Sequence, residues 1–280
     1  MPLSEVRPDA GNVLVELRDV HLAFGRTAVL KGINLQVRRG QAVSIIGPSG
    51  SGKSTILRCI TGLLKPQSGD IFLDGTDVRA LKSEAELIGL RKRVGFVFQQ
   101  YNLFPHLTVL ENLVIAPTRI LGQDLASARS NAHALLERVK LGGKAHAYPG
   151  QLSGGQQQRV AIARALAMQP ELILFDEVTS ALDPETVGEV LTVIGELVQD
   201  GMTCVLVTHE MRFAEEVSDE VYFTEAGLIV EHGPAHKIFS HPDSERTRTF
   251  LTRALRGEEQ GRRQTNSFSP ISFDRLKFSV

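Results

Sequence analysis

A glycine-rich segment offers the clearest chemistry in this chain. Residues 47–55 follow an apolar run at 42–46 that predicts a buried strand, and they precede a segment, 55–64, that predicts a helix. Glycines let consecutive backbone N–H groups point at one spot, and a helix start adds the positive end of its dipole there. Lys53 adds a full positive charge for the β- and γ-phosphates, and the Ser54 hydroxyl suits Mg²⁺. The alternative is a Gly/Ser-rich turn that matches this phosphate-loop pattern by accident, which is expected in about one chain of this length in a hundred. We therefore predict a nucleoside triphosphate site made by Gly47, Pro48, Ser49, Gly50, Ser51, Gly52, Lys53, Ser54 and Thr55.

A second apolar strand pattern ends in two carboxylates. Residues 172–175 are Leu-Ile-Leu-Phe, and Asp176 and Glu177 follow them. Asp176 suits direct or water-mediated Mg²⁺ binding beside Ser54. Glu177 is placed to accept a proton from a water that attacks the γ-phosphate, or to polarise it. A strand that simply ends in solvated acids is the alternative, and the phosphate loop in the same chain makes it the weaker one.

A second glycine cluster, Leu-Ser-Gly-Gly-Gln at 152–156, opens a helix predicted at 156–168. Backbone N–H groups at a helix start, together with the Ser153 hydroxyl, again make a phosphate site. The alternative is a flexible turn in which Ser153 serves only as the N-cap. One chain needs only one γ-phosphate site, so we expect this cluster to face the nucleotide held by another copy.

The remaining pattern predicts an α/β fold around these motifs. Alternating stretches between 13 and 38 predict antiparallel strands, and a helical region of about 60 residues interrupts the nucleotide-binding core. Asp183 and Pro184 predict the N-cap and first residue of an amphipathic helix. The pattern predicts further strands at 71–75, 94–98 and 204–207, and helices at 108–116 and 126–139. It also predicts a loose arm at 1–12, a flexible segment at 256–266, and an end at 271–280 that is apolar enough to dock on another surface.

Composition narrows the class of protein. The 280 residues are 42% hydrophobic and 22% charged, which is ordinary for a globular chain. Lys plus Arg is 31 against Asp plus Glu 32, so no basic excess points to nucleic acid. Cys59 and Cys204 lie in apolar patterns and are predicted to be buried thiols. No signal peptide or membrane span is evident, which predicts a cytosolic chain that reaches a membrane only through a partner.

The motifs together resemble the ATP-binding cassette (ABC) subunits of transporters. The phosphate loop, residues 152–156 and the strand before Glu177 match that family in order and spacing over roughly 12–255. The resemblance implies a P-loop NTPase (RecA-like) core, ATP and Mg²⁺ as ligands, and two cassettes stacked head-to-tail around two ATP molecules. The resemblance also implies how the chain is divided. An α/β core at 13–100 and 166–255 carries an antiparallel β-subdomain, an α-helical subdomain is inserted at about 101–165, and a C-terminal extension follows at 256–280.

The resemblance also implies roles for single residues. Phe24 would stack on adenine, although a buried core phenylalanine is the competing interpretation. Gln99 would touch Mg²⁺ and the attacking water, and His209 would bind the γ-phosphate. Val178 departs from the family, which usually has proline there. The residues implied to reach the partner's nucleotide are Ser153, Gly154, Gly155, Gln156 and Asp183.

A narrower resemblance is to the polar amino acid uptake group of bacterial importers, carried by residues 98–112, 154–165 and 180–185. It implies two membrane permease subunits, an extracytoplasmic binding protein and a position on the cytoplasmic face of the inner membrane. A groove near 99–108 would receive the membrane subunits. The alternatives are an exporter ATPase, or a soluble cassette ATPase with a protein or nucleic-acid partner. Residues 100–152 show no sustained heptads, and the charge balance argues against nucleic acid.

Overall fold

A computed structural model describes the backbone of residues 12–264 and the side chains of residues 12–258. The predicted arm at 1–12, except for its last residue, and the apolar end at 271–280 lie outside these residues. The strands are β1 (Val13–Phe24), β2 (Thr27–Arg38), β3 (Ala42–Ile46), β4 (Ser68–Leu73), β5 (Thr76–Asp77), β6 (Val94–Val97), β7 (Leu172–Asp176), β8 (Thr203–Val207), β9 (Glu220–Glu225) and β10 (Leu228–Pro234). The helices are α1 (Lys53–Ile60), α2 (Glu84–Lys92), α3 (Val109–Ile120), α4 (Leu125–Arg138), α5 (Gly154–Ala167), α6 (Pro184–Gln199), α7 (Met211–Val217), α8 (Ala235–Ser240) and α9 (Glu245–Gln264).

Two sheets organise the chain. One has the order β2-β1-β4-β5 and is antiparallel, as the alternating pattern of its first two strands predicts. The other has the order β10-β9-β3-β8-β7-β6, and the strands from β9 to β6 run parallel. Parallel strands are covered on both faces, and β3, β7 and β8 are buried at every residue. The carboxyl ends of these strands therefore meet at one edge, where ligands of open α/β sheets bind.

Helices α3, α4 and α5 lie between β6 and β7 in the chain and pack on one another through a shared apolar cluster. α3 begins with a capping box made by Thr108 and Glu111, and Asp124 caps α4. The predictions at 108–116 and 126–139 are confirmed within a few residues. Both free thiols, Cys59 and Cys204, are buried as predicted, and burial raises the pKa of Cys59 to about 12.

The ends of two helical segments differ clearly from the prediction. The helix expected at 55–64 is α1, which ends at Ile60 because Gly62 takes φ +64° and the N–H groups of Gly62 and Leu63 turn back to the last helical carbonyls. The segment expected to be flexible from 256 is helical as far as Gln264. Its arginine, glutamate and glutamine residues are good helix formers, and they extend a helix already anchored on the core.

Four charged side chains join the two sheets at the starts of the parallel strands. Arg39 precedes β3, Arg93 precedes β6, Glu171 precedes β7, and Asp74 follows β4 of the antiparallel sheet. Arg39 donates to Asp74 (2.6 Å) and to Glu171 (2.7 Å), and Arg93 donates to the same two carboxylates (2.7 and 2.5 Å). Hydrogen bonds from the two guanidinium groups lower the pKa of Glu171 to about 2. We call these four residues the charge ring.

Within residues 12–264, no helix combines the length and the apolar character needed to cross a membrane.

Candidate functional site

The predicted phosphate loop connects β3 to α1, and its backbone is fixed by β9. Gly47 has φ +146°, and a Cβ there would lie 2.0 Å from the carbonyl oxygen of Thr224, so only glycine fits. The hydroxyl of Ser51 lies 2.8 Å from that of Thr224, whose hydroxyl also donates to the Ile46 carbonyl (3.2 Å). The loop is therefore anchored to the sheet at its base, while Ser49 and Gly50 at its tip are exposed.

Lys53 lies almost fully buried inside this loop. Its ammonium group donates to the carbonyls of Gly47 (2.9 Å) and Pro48 (3.0 Å). It is also 3.6 Å from the Glu177 carboxylate. Burial lowers the pKa of Lys53, and the negative charge of Glu177 opposes that change. A buried cation that contacts three oxygen atoms is arranged to receive phosphate oxygens.

Ser54 and Asp176 meet at the predicted metal position. The Ser54 hydroxyl donates to Oδ1 of Asp176 at 2.6 Å, and Asp176 is 5% exposed. Burial raises the pKa of Asp176, and the hydrogen bond from Ser54 counters it. Among the described residues, no group of three or more His, Cys, Asp or Glu side chains could hold a metal on its own. This pair fits Mg²⁺, which takes one or two protein ligands and completes its shell with water and substrate phosphates.

Glu177 and His209 come from adjacent strands. Glu177 directly follows β7, His209 follows β8, and His209 Nε2 lies 3.0 Å from Glu177 Oε1. Glu177 adopts φ +49°, and its N–H donates to the carbonyl of Val207 (2.9 Å), which holds this left-handed backbone in place. A strained backbone fixed by its neighbours is typical of functional positions. The Glu177 carboxylate thus lies between Lys53 and His209.

Phe24 and Gln99 lie on the periphery of this site. Phe24 ends β1 and is 54% exposed, so the alternative of a buried core phenylalanine is wrong. The hairpin that carries it passes beside the phosphate loop, because a Cβ on Gly52 would lie 2.7 Å from the Leu30 side chain of β2. Gln99 is exposed two residues after the end of β6, at the same sheet edge as Asp176.

The second glycine cluster starts α5 two residues earlier than predicted. Ser153 is the N-cap, and it forms a capping box with Gln156, so the N-cap role considered for it is confirmed. A Cβ on Gly154 would lie 2.6 Å from the Tyr101 hydroxyl, and one on Gly155 would lie 2.8 Å from Thr186 of α6. Both glycines are therefore needed for close packing, while Ser153 stays exposed.

Asp183 occupies the N-cap position of α6, as predicted, and Pro184 is the first helical residue. The Asp183 side chain, however, accepts no hydrogen bond from the N–H groups of this helix, so it does not cap the helix with its carboxylate. Proline suits the first helical position because it has no N–H that needs an acceptor there. The exposed Asp183 carboxylate is therefore not committed to its own helix.

Two residues that the sequence analysis missed connect α5 to the segment around Gln99. The buried Gln158 donates to the Phe98 carbonyl at 3.1 Å. Arg164 donates to the carbonyls of Asn102 (2.7 Å) and Tyr101 (3.2 Å). Polar side chains on the apolar face of a predicted helix were the available signal, because buried polar groups require partners.

Comparison with known proteins agrees with this geometry. The model of the family described as ABC transporter matches residues 30–180. The L-cystine import ATP-binding protein TcyC of Bacillus subtilis is 49% identical over 244 residues, which are 86% of this chain and 99% of that protein. The arginine transport ATP-binding protein ArgV of Corynebacterium glutamicum is 50% identical over 251 residues, 87% of this chain and 99% of that protein.

A solved structure of the ATP-binding cassette MJ0796, dimeric and bound to ADP and Pi after hydrolysis, superposes with a TM-score of 0.72 at 38% identity. It covers 79% of this chain and 99% of that one. The predicted P-loop NTPase fold is thus confirmed, and the chain is an ATPase that uses ATP with Mg²⁺ as the usual partner. The chain belongs to the ABC transporter family.

Proposed function

We propose that this chain is the ATP-hydrolysing subunit of an importer for a polar amino acid or a similar small zwitterion. The observation that carries the hydrolytic half is the Glu177 carboxylate held between Lys53 (3.6 Å) and His209 (3.0 Å). The relatives support import, since they are named for L-cystine import and arginine transport and match nearly their whole length. The same names argue against the exporter and the soluble alternatives.

The roles of the residues follow from their chemistry. Phe24 stacks on adenine, and the backbone N–H groups of residues 47–55 bind the phosphates, with Lys53 neutralising their charge. Ser54, Asp176 and Gln99 would hold Mg²⁺, which would neutralise negative charge that develops on the phosphates. Glu177 accepts the proton of the attacking water, and His209 binds the γ-phosphate.

The second glycine cluster supports action in a dimer. Ser153, Gly154, Gly155, Gln156 and Asp183 would contact the nucleotide of a second copy stacked head-to-tail. Gly154 and Gly155 pack against Tyr101 and Thr186 of their own chain, which leaves the exposed Ser153 available to a partner. The solved relative in a dimeric state after hydrolysis supports this arrangement.

The proposed assembly extends to the membrane. Two permease subunits would contact the groove near residues 99–108, and an extracytoplasmic binding protein would deliver the cargo. The cassette pair would lie on the cytoplasmic face of the inner membrane, with no nucleic-acid partner. Reconstituting the chain with its permease subunits tests this, because loaded binding protein should raise ATP turnover. If neither L-cystine nor L-arginine nor any other polar amino acid does so, import of this class is refuted.

Glu177→Gln tests the hydrolytic mechanism. The amide keeps the shape of the side chain but loses its charge and basicity, and a general base contributes typically about 10²–10⁴-fold. Turnover should fall by that factor, while ATP still binds and holds a dimer that size-exclusion chromatography can isolate. Glu245→Gln, which changes an exposed glutamate at the start of α9, is the control and should behave like wild type. Turnover of Glu177→Gln within a few-fold of wild type would rule out this base.

A mixed dimer tests the shared site. Ser153→Asp keeps a good N-cap for α5 but adds a negative charge that repels the partner's phosphates. Pairing a Lys53→Ala chain with a Ser153→Asp chain puts both lesions in one composite site and leaves the other intact. We expect activity in the mixture and almost none in either homodimer. An inactive mixture, or an active monomer, would contradict the head-to-tail arrangement.

A further inference from the structure

The helix that follows His209 is held at its start by a residue from the end of the described chain. α7 begins at Met211, two residues after His209, and Glu210 at its N-cap makes no side-chain capping bond. The first N–H groups of a helix have no acceptor within it. The N–H of Met211 donates instead to the carboxylate of Glu258 in α9. A negatively charged acceptor at this end also interacts favourably with the helix dipole.

α9 packs against α7, β3 and β9 before it reaches this position. Its Leu251 is buried in a cluster with Met211 of α7 and Ile46 of β3, and Ile46 is the residue before the phosphate loop. The ring of Phe250 lies 5.1 Å from that of Phe223 in β9. Because α9 is fixed on these elements, the Glu258 carboxylate is delivered from a rigid support rather than from a free surface helix.

We propose that Glu258 is a positioning residue for His209. By holding the first N–H of α7, it fixes the backbone two residues after His209, and so fixes the point from which the imidazole reaches Glu177 at 3.0 Å. Glu258 lies in α9, outside residues 30–180 that the family model matches. The inference rests on the role proposed above for His209 in hydrolysis.

The first test needs no catalysis. NMR of the full chain labelled with ¹⁵N-histidine reports the imidazole of His209, whose signals are assigned by their loss in His209→Gln. Glu258→Asp keeps the charge but shortens the side chain by one methylene, so the carboxylate no longer reaches Met211. We expect the His209 signals to shift in Glu258→Asp and to stay unchanged in Glu245→Asp, the same change at an exposed position of α9. Unshifted His209 signals in Glu258→Asp would overturn the inference.

The second test is a double-mutant cycle in which ATP turnover is measured per nucleotide-binding site. Since small misplacements of a catalytic group cost on the order of 10–100-fold, Glu258→Asp should lower kcat about tenfold. The KM for ATP should stay within about twofold, because Lys53 and the phosphate loop are untouched. Glu258→Gln keeps an oxygen acceptor at the same distance and should restore most of the turnover.

The cycle also separates positioning from general destabilisation. In a His209→Gln chain, adding Glu258→Asp should leave the single-turnover rate unchanged, because Glu258 affects turnover only by positioning the His209 side chain, which is already absent. An equal loss with and without His209 would overturn the inference. If His209→Gln alone keeps wild-type turnover, the function proposed for His209 fails, and the imidazole signals still decide whether Glu258 positions the ring.

Discussion

Removing one charge from the charge ring gives the most quantitative prediction. In Glu171→Gln the guanidinium groups of Arg39 and Arg93 each lose the carboxylate that they contact at 2.7 and 2.5 Å. Folding lowers the pKa of Glu171 from 4.5 to about 2, and each pKa unit corresponds to about 1.4 kcal/mol. The upper limit for its contribution is therefore about 3 kcal/mol. Because the Glu171 side chain is 35% exposed, solvent screening reduces this to about 1–2 kcal/mol.

The sign of the pH dependence follows from the lowered pKa. The Glu171 contribution is fully present above pH 4.5, where the unfolded chain is also ionised, and it is lost as pH falls toward 2. Urea unfolding of wild type and Glu171→Gln should therefore differ by about 1–2 kcal/mol at pH 7. About half of that difference should disappear by pH 3.5.

The matched control is Glu215→Gln, which changes an exposed glutamate of α7 and should leave stability within about 0.5 kcal/mol of wild type. A difference below that value for Glu171→Gln at pH 7 would show that the charge ring contributes little to stability. A difference that stays constant between pH 7 and pH 3.5 would show that the contribution does not come from the ionised carboxylate.

Three further substitutions test the site itself. Lys53→Ala should weaken ATP binding at least tenfold by calorimetry while the melting temperature stays near wild type, and unchanged affinity would refute the phosphate loop assignment. Phe24→Ala should cost about 1–2 kcal/mol of ATP affinity, which Phe24→Tyr should retain because stacking needs only an aromatic face. Arg164→Lys keeps the charge but loses the paired donation to the Tyr101 and Asn102 carbonyls, so turnover should fall several-fold with little change in ATP affinity. Wild-type turnover in Arg164→Lys would mean that these two hydrogen bonds do not position the segment around Gln99.

The main elements were predictable where local chemistry dictates them. The phosphate loop, the carboxylates at the end of β7 and the helix capped by Ser153 each follow from a few neighbouring residues, since caps, glycines and apolar runs act over short distances. The fold class followed from the change between alternating, continuous and helical apolar patterns.

Long-range pairing was not predictable from the sequence. The bond between Gln158 and the Phe98 carbonyl joins residues 60 positions apart, and the bond between Met211 and Glu258 joins residues 47 apart. Neither partner has a local pattern that names the other. The extension of α9 to residue 264 was missed for a similar reason, because its charged sequence resembles a solvated loop until its anchored first turns are known.

The packing of Gly155 against Thr186 has a consequence for how quickly two copies would associate. This contact joins the start of α5 to the first turn of α6, so the residues around Ser153 and Asp183 form one preassembled surface within a single chain. A partner that docks there orders little additional backbone, which keeps the entropic cost of association low. The rate of encounter should then depend mainly on diffusion and charge rather than on slow rearrangement of this face.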